Sequence, residues 1–187
     1  MEMLEVVSVS DDTRLISWAQ AGDRDAFSEL VRRYRVRVIN VVYQMCGDAN
    51  LAEDAAQDAF IRAWQHLPDF QPRSSFRNWM YRIAVNTALD ITRRERPGVD
   101  VESLELAAPG ENLEADLERR ERARQIRQSV LGLPQASRAV LILREYEGLS
   151  YREIAETLDI SIGTVMSRLN YARTHLAKIL RPLMEAA

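Results

Sequence analysis

Apolar side chains recur along this chain at three- and four-residue intervals, and no stretch shows the strict alternation of a half-buried strand. The pattern predicts helices throughout. Asp23 is placed to cap a helix whose inner stripe is Phe27, Leu30, Val31, Tyr34, Val38, Val41 and Val42, closed by Cys46 and Gly47. A second helix is expected from about Leu51 to His66, with Ala55, Ala56, Ala59, Phe60, Ala63 and Trp64 inward. Pro68 and Pro72 then enforce a loop. Ser74 or Ser75 opens a third helix, from Phe76 to about Arg96, which Pro97-Gly98 ends. From Pro97 to about Leu113 the apolar period vanishes among Gly98, Pro109, Gly110 and acids, the composition of a flexible linker. Helical spacing resumes at about Glu114, is divided at Gly132-Leu133-Pro134, and turns again at Glu147 to Ser150. The expected fold is all-α: a helical domain over 13–96, an acidic linker over 97–118, and a second helical domain over 119–185.

The second domain carries a sharper pattern. After the cap Ser150, a short helix from about Tyr151 to Leu158 is followed by the tight turn Asp159-Ile160-Ser161 and a longer helix capped by Ser161. Ile154, Leu158, Ile160, Val165, Leu169, Ala172, Leu176 and Ile179 can share one core, with the small Ala155 at the close approach of the helices. This is helix-turn-helix spacing, in which the second helix enters the major groove of DNA. From Ser161 to Pro182 there are Arg168, Arg173, His175, Lys178 and Arg181 and no acid. Thr164, Met166, Ser167, Arg168, Asn170, Tyr171 and Arg173 lie off the apolar stripe. Polar groups near the start of such a helix reach base edges, and the later cations meet phosphate. An ordinary helical hairpin with a solvated basic face is the plainer alternative, and the cap, spacing and acid-free face together favour DNA.

Charge alone would not have led there, since the net value is −3. Its distribution is uneven. Residues 1–12 hold four acids and no Lys or Arg, residues 13–96 thirteen Arg against ten acids, residues 97–118 seven acids and no base, and residues 119–187 twelve Lys and Arg against seven acids. Two basic lobes flank an acidic strap, which suits a polyanion on the lobes and would be repelled by one along the strap. No run approaches the roughly 18 apolar residues of a membrane span, and the acidic N-terminus lacks the form of a secretion signal. A single cysteine, Cys46, forms no internal disulfide. The expected location is cytoplasmic.

Candidate chemistry narrows the class further. There is no phosphate-binding glycine loop and no His-Glu-x-x-His, and only His66 and His175 are present, so neither an enzyme, nor a cofactor, nor a metal is expected. Asp54 and Asp58 lie one turn apart, but solvated acids are far commoner than catalytic pairs. The expected third helix mixes Phe76, Trp79 and Tyr81, taken as exposed, with Arg77, Arg82, Arg93, Arg94 and Arg96. Flat rings beside cations suit unpaired bases, although core packing is an equal reading for Trp79.

These residues carry a resemblance. The run WMYRIAVNTALDITRR resembles the promoter-melting helix of extracytoplasmic-function (ECF) sigma factors. LAEDAAQDAFIRAWQHLPDF is similar to the family's preceding helix, which grips the clamp of core RNA polymerase, and LREYEGLSYREIAETLDISIGTVMSRLNYAR to its promoter-reading domain. The likeness extends from about Thr13 to Leu183. It implies a sigma factor that binds core RNA polymerase and promoter DNA in a stress or envelope response; a stand-alone helix-turn-helix regulator is the alternative. It further implies that Asp54, Gln57 and Asp58 bind polymerase. Asn86 would hold a flipped minus-ten base beside a pocket formed by the loop Phe70 to Ser75, with Phe76 and Trp79 nearby, and Arg93 and Arg94 would meet phosphate. Thr164, Ser167 and Arg168 would contact the minus-thirty-five element. Two positions depart from the family pattern: Pro72 stands in a loop that usually carries glycine, and Met166 where many members carry Lys or Arg. No internal switch is evident, so a separate anti-sigma factor is expected to restrain the chain by wedging helices between lobes that the linker lets swing; control purely through synthesis of the chain is the alternative.

Overall fold

The computed structural model describes residues 3–71, 75–94 and 113–185. Regular structure among them is entirely helical: α1 (Met3–Gln20), α2 (Arg24–Cys46), α3 (Ala49–His66), a 3-10 turn (Leu67–Asp69), α4 (Phe76–Arg94), α5 (Leu113–Leu131), α6 (Gln135–Glu145), α7 (Tyr151–Leu158) and α8 (Ile162–Glu185). Helix ends fall where side chains satisfy the free backbone groups. The Asp23 carboxylate accepts from the N–H groups of Asp25 and Ala26 at 2.9 and 3.0 Å. Gly47, at φ 81°, closes α2 in a left-handed conformation that only glycine enters without strain. Asp48 caps α3, and Ser75, of the two serines, caps α4 through the Asn78 N–H at 3.2 Å.

In the first lobe α2, α3 and α4 pack mutually. Leu30, Val38, Val41 and Val42 of α2 meet a face of α3 made of Ala52, Ala55, Ala56, Ala59 and Ala63, all buried. The alanines let the helices close on Met80, Ala84, Val85 and Ala88 of α4. The acidic start, left outside the expected domain boundary at 13, is instead helical from Met3 and runs through Asp12 into α1. Asp12 is buried, and its carboxylate accepts from the Tyr34 hydroxyl at 2.5 Å and from Arg33 at 3.0 Å. Burial first, then the Asp12 hydrogen bond, raises the Tyr34 hydroxyl well above its usual pKa. This anchor is a polar tertiary contact, which leaves no apolar period in the sequence.

The second lobe is built around α6, where Ser137 through Leu143 are all buried. A helix apolar on every side needs cover on every side. Helices α7 and α8 cover part of it and α2 of the first lobe covers another. The expected linker therefore overlaps structure: residues 113–118 belong to α5, and the remainder, 97–112, lies outside the described residues. The lobes, expected to swing, are packed together, α6 against α2 and α7 against α4.

Candidate nucleic-acid interface

The helix-turn-helix follows from local rules. Ser150 and Glu153 form a capping box at the start of α7. Asp159 turns the chain at φ 55°, a left-handed position that Asp tolerates, and the Ile160 N–H donates to the Ala155 carbonyl at 3.0 Å. The Ser161 hydroxyl accepts from the Thr164 N–H at 3.1 Å and so caps α8. Ile154, Val165, Leu169 and Ala172 are buried, and Leu158, Ile160 and Leu176 pack against them. Ile179, expected in that core, is 42% exposed, because it lies two turns beyond Ala172, the last fully buried residue of α8.

The outward face of α8 is as open as its pattern demands. Met166, Ser167, Asn170, Tyr171 and Arg173 are exposed, and Thr164 and Arg168 are half-buried at its edges. The Tyr171 ring stacks on His175 with centroids 5.9 Å apart. Both border a shallow hollow of about 290 Å³ with Ser167, Asn170, Thr174 and Lys178. Arg173 is engaged: its guanidinium donates to Glu145 at 2.7 Å.

On α4 the expected stacking platforms are not free. Phe76 and Phe70 are buried, Tyr81 is fully buried, and Trp79 is half-buried. Phe70, Phe76 and Trp79 form one cluster, with centroids 4.8, 5.5 and 5.9 Å apart. Large rings bury more apolar area than any other side chain, and here the lobe covers them. What α4 offers outward is polar: Ser75, Asn86 and Arg93 are exposed. The loop residues Pro72, Arg73 and Ser74 and the Arg94 side chain lie outside what is described.

On α3, Asp54, Gln57 and Asp58 are all exposed. Of the three, Gln57 reaches an apolar groove of about 290 Å³ between α2 and α3, bordered by Val31, Ile39, Ala56, Phe60 and Ile61, with Arg35 and Glu53 also at its rim. Ile61, on the wall of that groove, is 56% exposed.

Comparison with known proteins decides the family. Residues 30–97 match Sigma-70 region 2, and residues 123–176 match Sigma-70, region 4. The RNA polymerase sigma-H factor of Pseudomonas aeruginosa is 37% identical over 97% of this chain and 100% of its own length. The ECF sigma factor SigW of Bacillus subtilis is 35% identical over 90% of this chain and 96% of its own length. The ECF sigma-E factor of Escherichia coli is 38% identical over 92% and 96%. This chain is an ECF RNA polymerase sigma factor. The structure of CnrH in complex with the cytosolic domain of CnrY superposes with a TM-score of 0.72 at 29% identity, over 92% of this chain and 98% of that one. RpoE from Bartonella quintana, in complex with the anti-sigma factor NepR, shares the fold at a TM-score of 0.65 and 23% identity, over 83% of this chain and 96% of that one.

A sigma factor is a non-enzymatic initiation factor that binds core RNA polymerase and promoter DNA. Among the described residues no helix is long and apolar enough to cross a membrane. In this sigma factor the seam between the lobes uses α4 residues that the sequence marked only as generically cationic or aromatic. Arg77 donates to Glu153 at 2.9 Å, Arg82 lies 3.5 Å from Asp159, and the Tyr81 hydroxyl donates to Glu147. Burial would raise the Glu153 carboxyl, but hydrogen bonds from Ser150 and the nearby Arg77 charge bring it below its usual value. At the other end Arg127 donates to the Tyr43 hydroxyl and Arg138 to the Met45 carbonyl at 2.5 Å. Sequence reasoning missed the acids of this seam. Their signal was present: five of the seven acids from 119 to 187 fall between Glu145 and Asp159.

Proposed function

We propose that this sigma factor binds the clamp helices of core RNA polymerase in the groove between α2 and α3, with Asp54, Gln57 and Asp58 on its flank. The exposed α4 face of Asn86 and Arg93, with Ser75 and the Phe70–Trp79 cluster at its start, takes the minus-ten element. Thr164, Met166, Ser167, Arg168, Asn170, Tyr171 and Arg173 on α8 take the minus-thirty-five element. The observation that carries the polymerase assignment is Ile61, 56% exposed on the wall of an apolar groove, since an apolar helix face is what such a groove accepts. The first lobe, α1 to α4, serves polymerase and the minus-ten element and the second, α5 to α8, the minus-thirty-five element, and the site of action is the cytoplasm, where core polymerase resides. An anti-sigma factor restrains the chain under unstressed conditions. The support is its likeness to CnrH, whose structure is of a complex with the cytosolic domain of CnrY. In the packed arrangement seen here such a partner would bind around the joined lobes or displace one of them. Ile61→Asp tests the polymerase surface: copurification with core enzyme should be lost while helicity is unchanged. Retained copurification would move the contact elsewhere.

A further inference from the structure

We infer that Gln20, the last residue of α1, is a positioning residue for minus-ten recognition, because it fixes the backbone of Phe70 at the edge of the minus-ten site. The inference rests on the proposed assignment of Ser75, Asn86 and the Phe70–Trp79 cluster to the minus-ten element. The Gln20 amide nitrogen donates to the carbonyls of Leu67 and Phe70 at 3.0 and 2.9 Å. A primary amide has two N–H groups, and here each meets one carbonyl. Turned over, the amide would set its oxygen against two other oxygens, so chemistry chooses its orientation. The two carbonyls belong to the start of the 3-10 turn Leu67–Asp69 and to the residue that follows it. That turn is closed by the Phe70 N–H, which donates to the Leu67 carbonyl at 3.0 Å. So short a turn, with the poorer hydrogen-bond geometry of its kind, holds its exit direction weakly. Gln20 clamps it at both ends.

Both sides of this clamp are anchored. Leu67 and Phe70 are buried, while Pro68 and Asp69 between them are exposed. The Phe70 ring centroid lies 4.8 Å from that of Trp79 and 5.9 Å from that of Phe76, so a shift in the Phe70 backbone is felt by the rings at the start of α4. α1 is held in turn by its buried Leu15 and Ala19. It is held again by Asp12, which accepts from the Tyr34 hydroxyl, and the Tyr34 ring lies 5.3 Å from Phe76. Two routes from α1 thus converge on one aromatic cluster, Gln20 through the Phe70 backbone and Asp12 through the Tyr34 ring. Gln20 itself is exposed, so burial of apolar surface does not account for its place. α1 precedes residues 30–97, which match Sigma-70 region 2, and so acts on the minus-ten site from outside the matched segment.

The test uses holoenzyme assembled from bacterial core polymerase and the full chain carrying Gln20→Met, which keeps an unbranched side chain and removes both donors. The probe is a promoter selected by the wild-type holoenzyme from DNA randomised at both elements, together with its single-base variants. In fluorescence anisotropy the preference for the selected minus-ten bases should fall by about fivefold, the fold-change that one net hydrogen bond supplies. The preference for the minus-thirty-five bases and copurification with core polymerase should match wild type. Gln20→Lys, which returns N–H donors, should recover the minus-ten preference. An unchanged minus-ten preference in Gln20→Met overturns the inference. An equal fall at both elements overturns it too, as does a failure of Gln20→Lys to recover the preference, since the side chain would then act by packing. Should Gln20→Met lose helicity, Gln20→Glu, which turns only acceptors towards the two carbonyls, is read by the same criteria. Asn86→Ala in the same assay reports on the minus-ten assignment alone. If it leaves the preference unchanged, that assignment fails; if it lowers the preference while Gln20→Met does not, the assignment stands and Gln20 has no part in it.

Discussion

Arg138 shows how one residue ties two helix ends together. Its buried guanidinium donates to the carbonyls of Met45, Leu131 and Leu133, at or just beyond the C-terminal ends of α2 and α5. Carbonyls there lack partners within their helix and carry the negative end of its dipole, so a cation is the natural group to meet them. Burial lowers the Arg138 pKa without discharging it. Beside it, burial pushes the Cys46 thiol up to about 11, and its S–H donates to the Val42 carbonyl at 2.9 Å. A thiol raised in the fold holds its proton where the unfolded chain has released it. Its contribution is therefore complete below the ordinary thiol pKa and is lost as the pH rises towards 11. Cys46 should accordingly react with iodoacetamide at pH 8 on the order of 100-fold more slowly in the native protein than in the denatured chain, as followed by mass spectrometry. Equal rates would show that the thiol is exposed.

At the scale of the element, α4 and α8 divide their duties by what they expose. α8 presents hydroxyls and amides near its start and cations along its length, while its apolar stripe is consumed by Ile154, Val165 and Leu169. Arg168, on the edge of that face, should meet phosphate. Arg168→Ala in the holoenzyme should weaken promoter binding across sequences and lower the slope of log affinity against log salt by about one unit, measured by fluorescence anisotropy from low to moderate salt. An unchanged slope would remove Arg168 from the phosphate contacts. Arg173 offers less, because its charge already serves Glu145, which raises its pKa. α4 packs Phe76 and Tyr81 into the lobe core and leaves Trp79 half-buried, so under the proposed assignment its exposed polar residues carry most of the base reading. Asn86 is foremost among them.

At the scale of the molecule, the two lobes pack together, α6 against α2 and α7 against α4. Isolated protein should bind promoter duplex weakly in gel shifts, and addition of core polymerase should produce tight, sequence-specific binding. Tight specific binding by the isolated chain would contradict the dependence on polymerase and favour a stand-alone regulator. The surface pairs of the seam, with Arg82 and Asp159 side chains 42% and 90% exposed, are individually weak and screened by salt.

Much of this was determined by the sequence alone. The caps Asp23, Ser150 and Ser161, the closing Gly47, and the inward stripes of α2, α3 and α8 act within a few residues, so local spacing was enough to place them, while at α4 it left Ser74 and Ser75 level. The exposure of Met166 and Ser167 was likewise legible, because each lies off the apolar stripe, whereas Asp54, Gln57, Asp58 and Asn86 were singled out by the family resemblance. The tertiary structure alone decided the rest. Phe70, Phe76 and Tyr81 look alike in sequence whether they stack on bases or on each other. Asp12 becomes a helix anchor only because Tyr34 and Arg33 come to it from α2. The pairing of Arg77 with Glu153 joins residues 76 positions apart. Such a contact has no period to betray it, since charged side chains on a surface helix read as solvated until a second surface is brought against them.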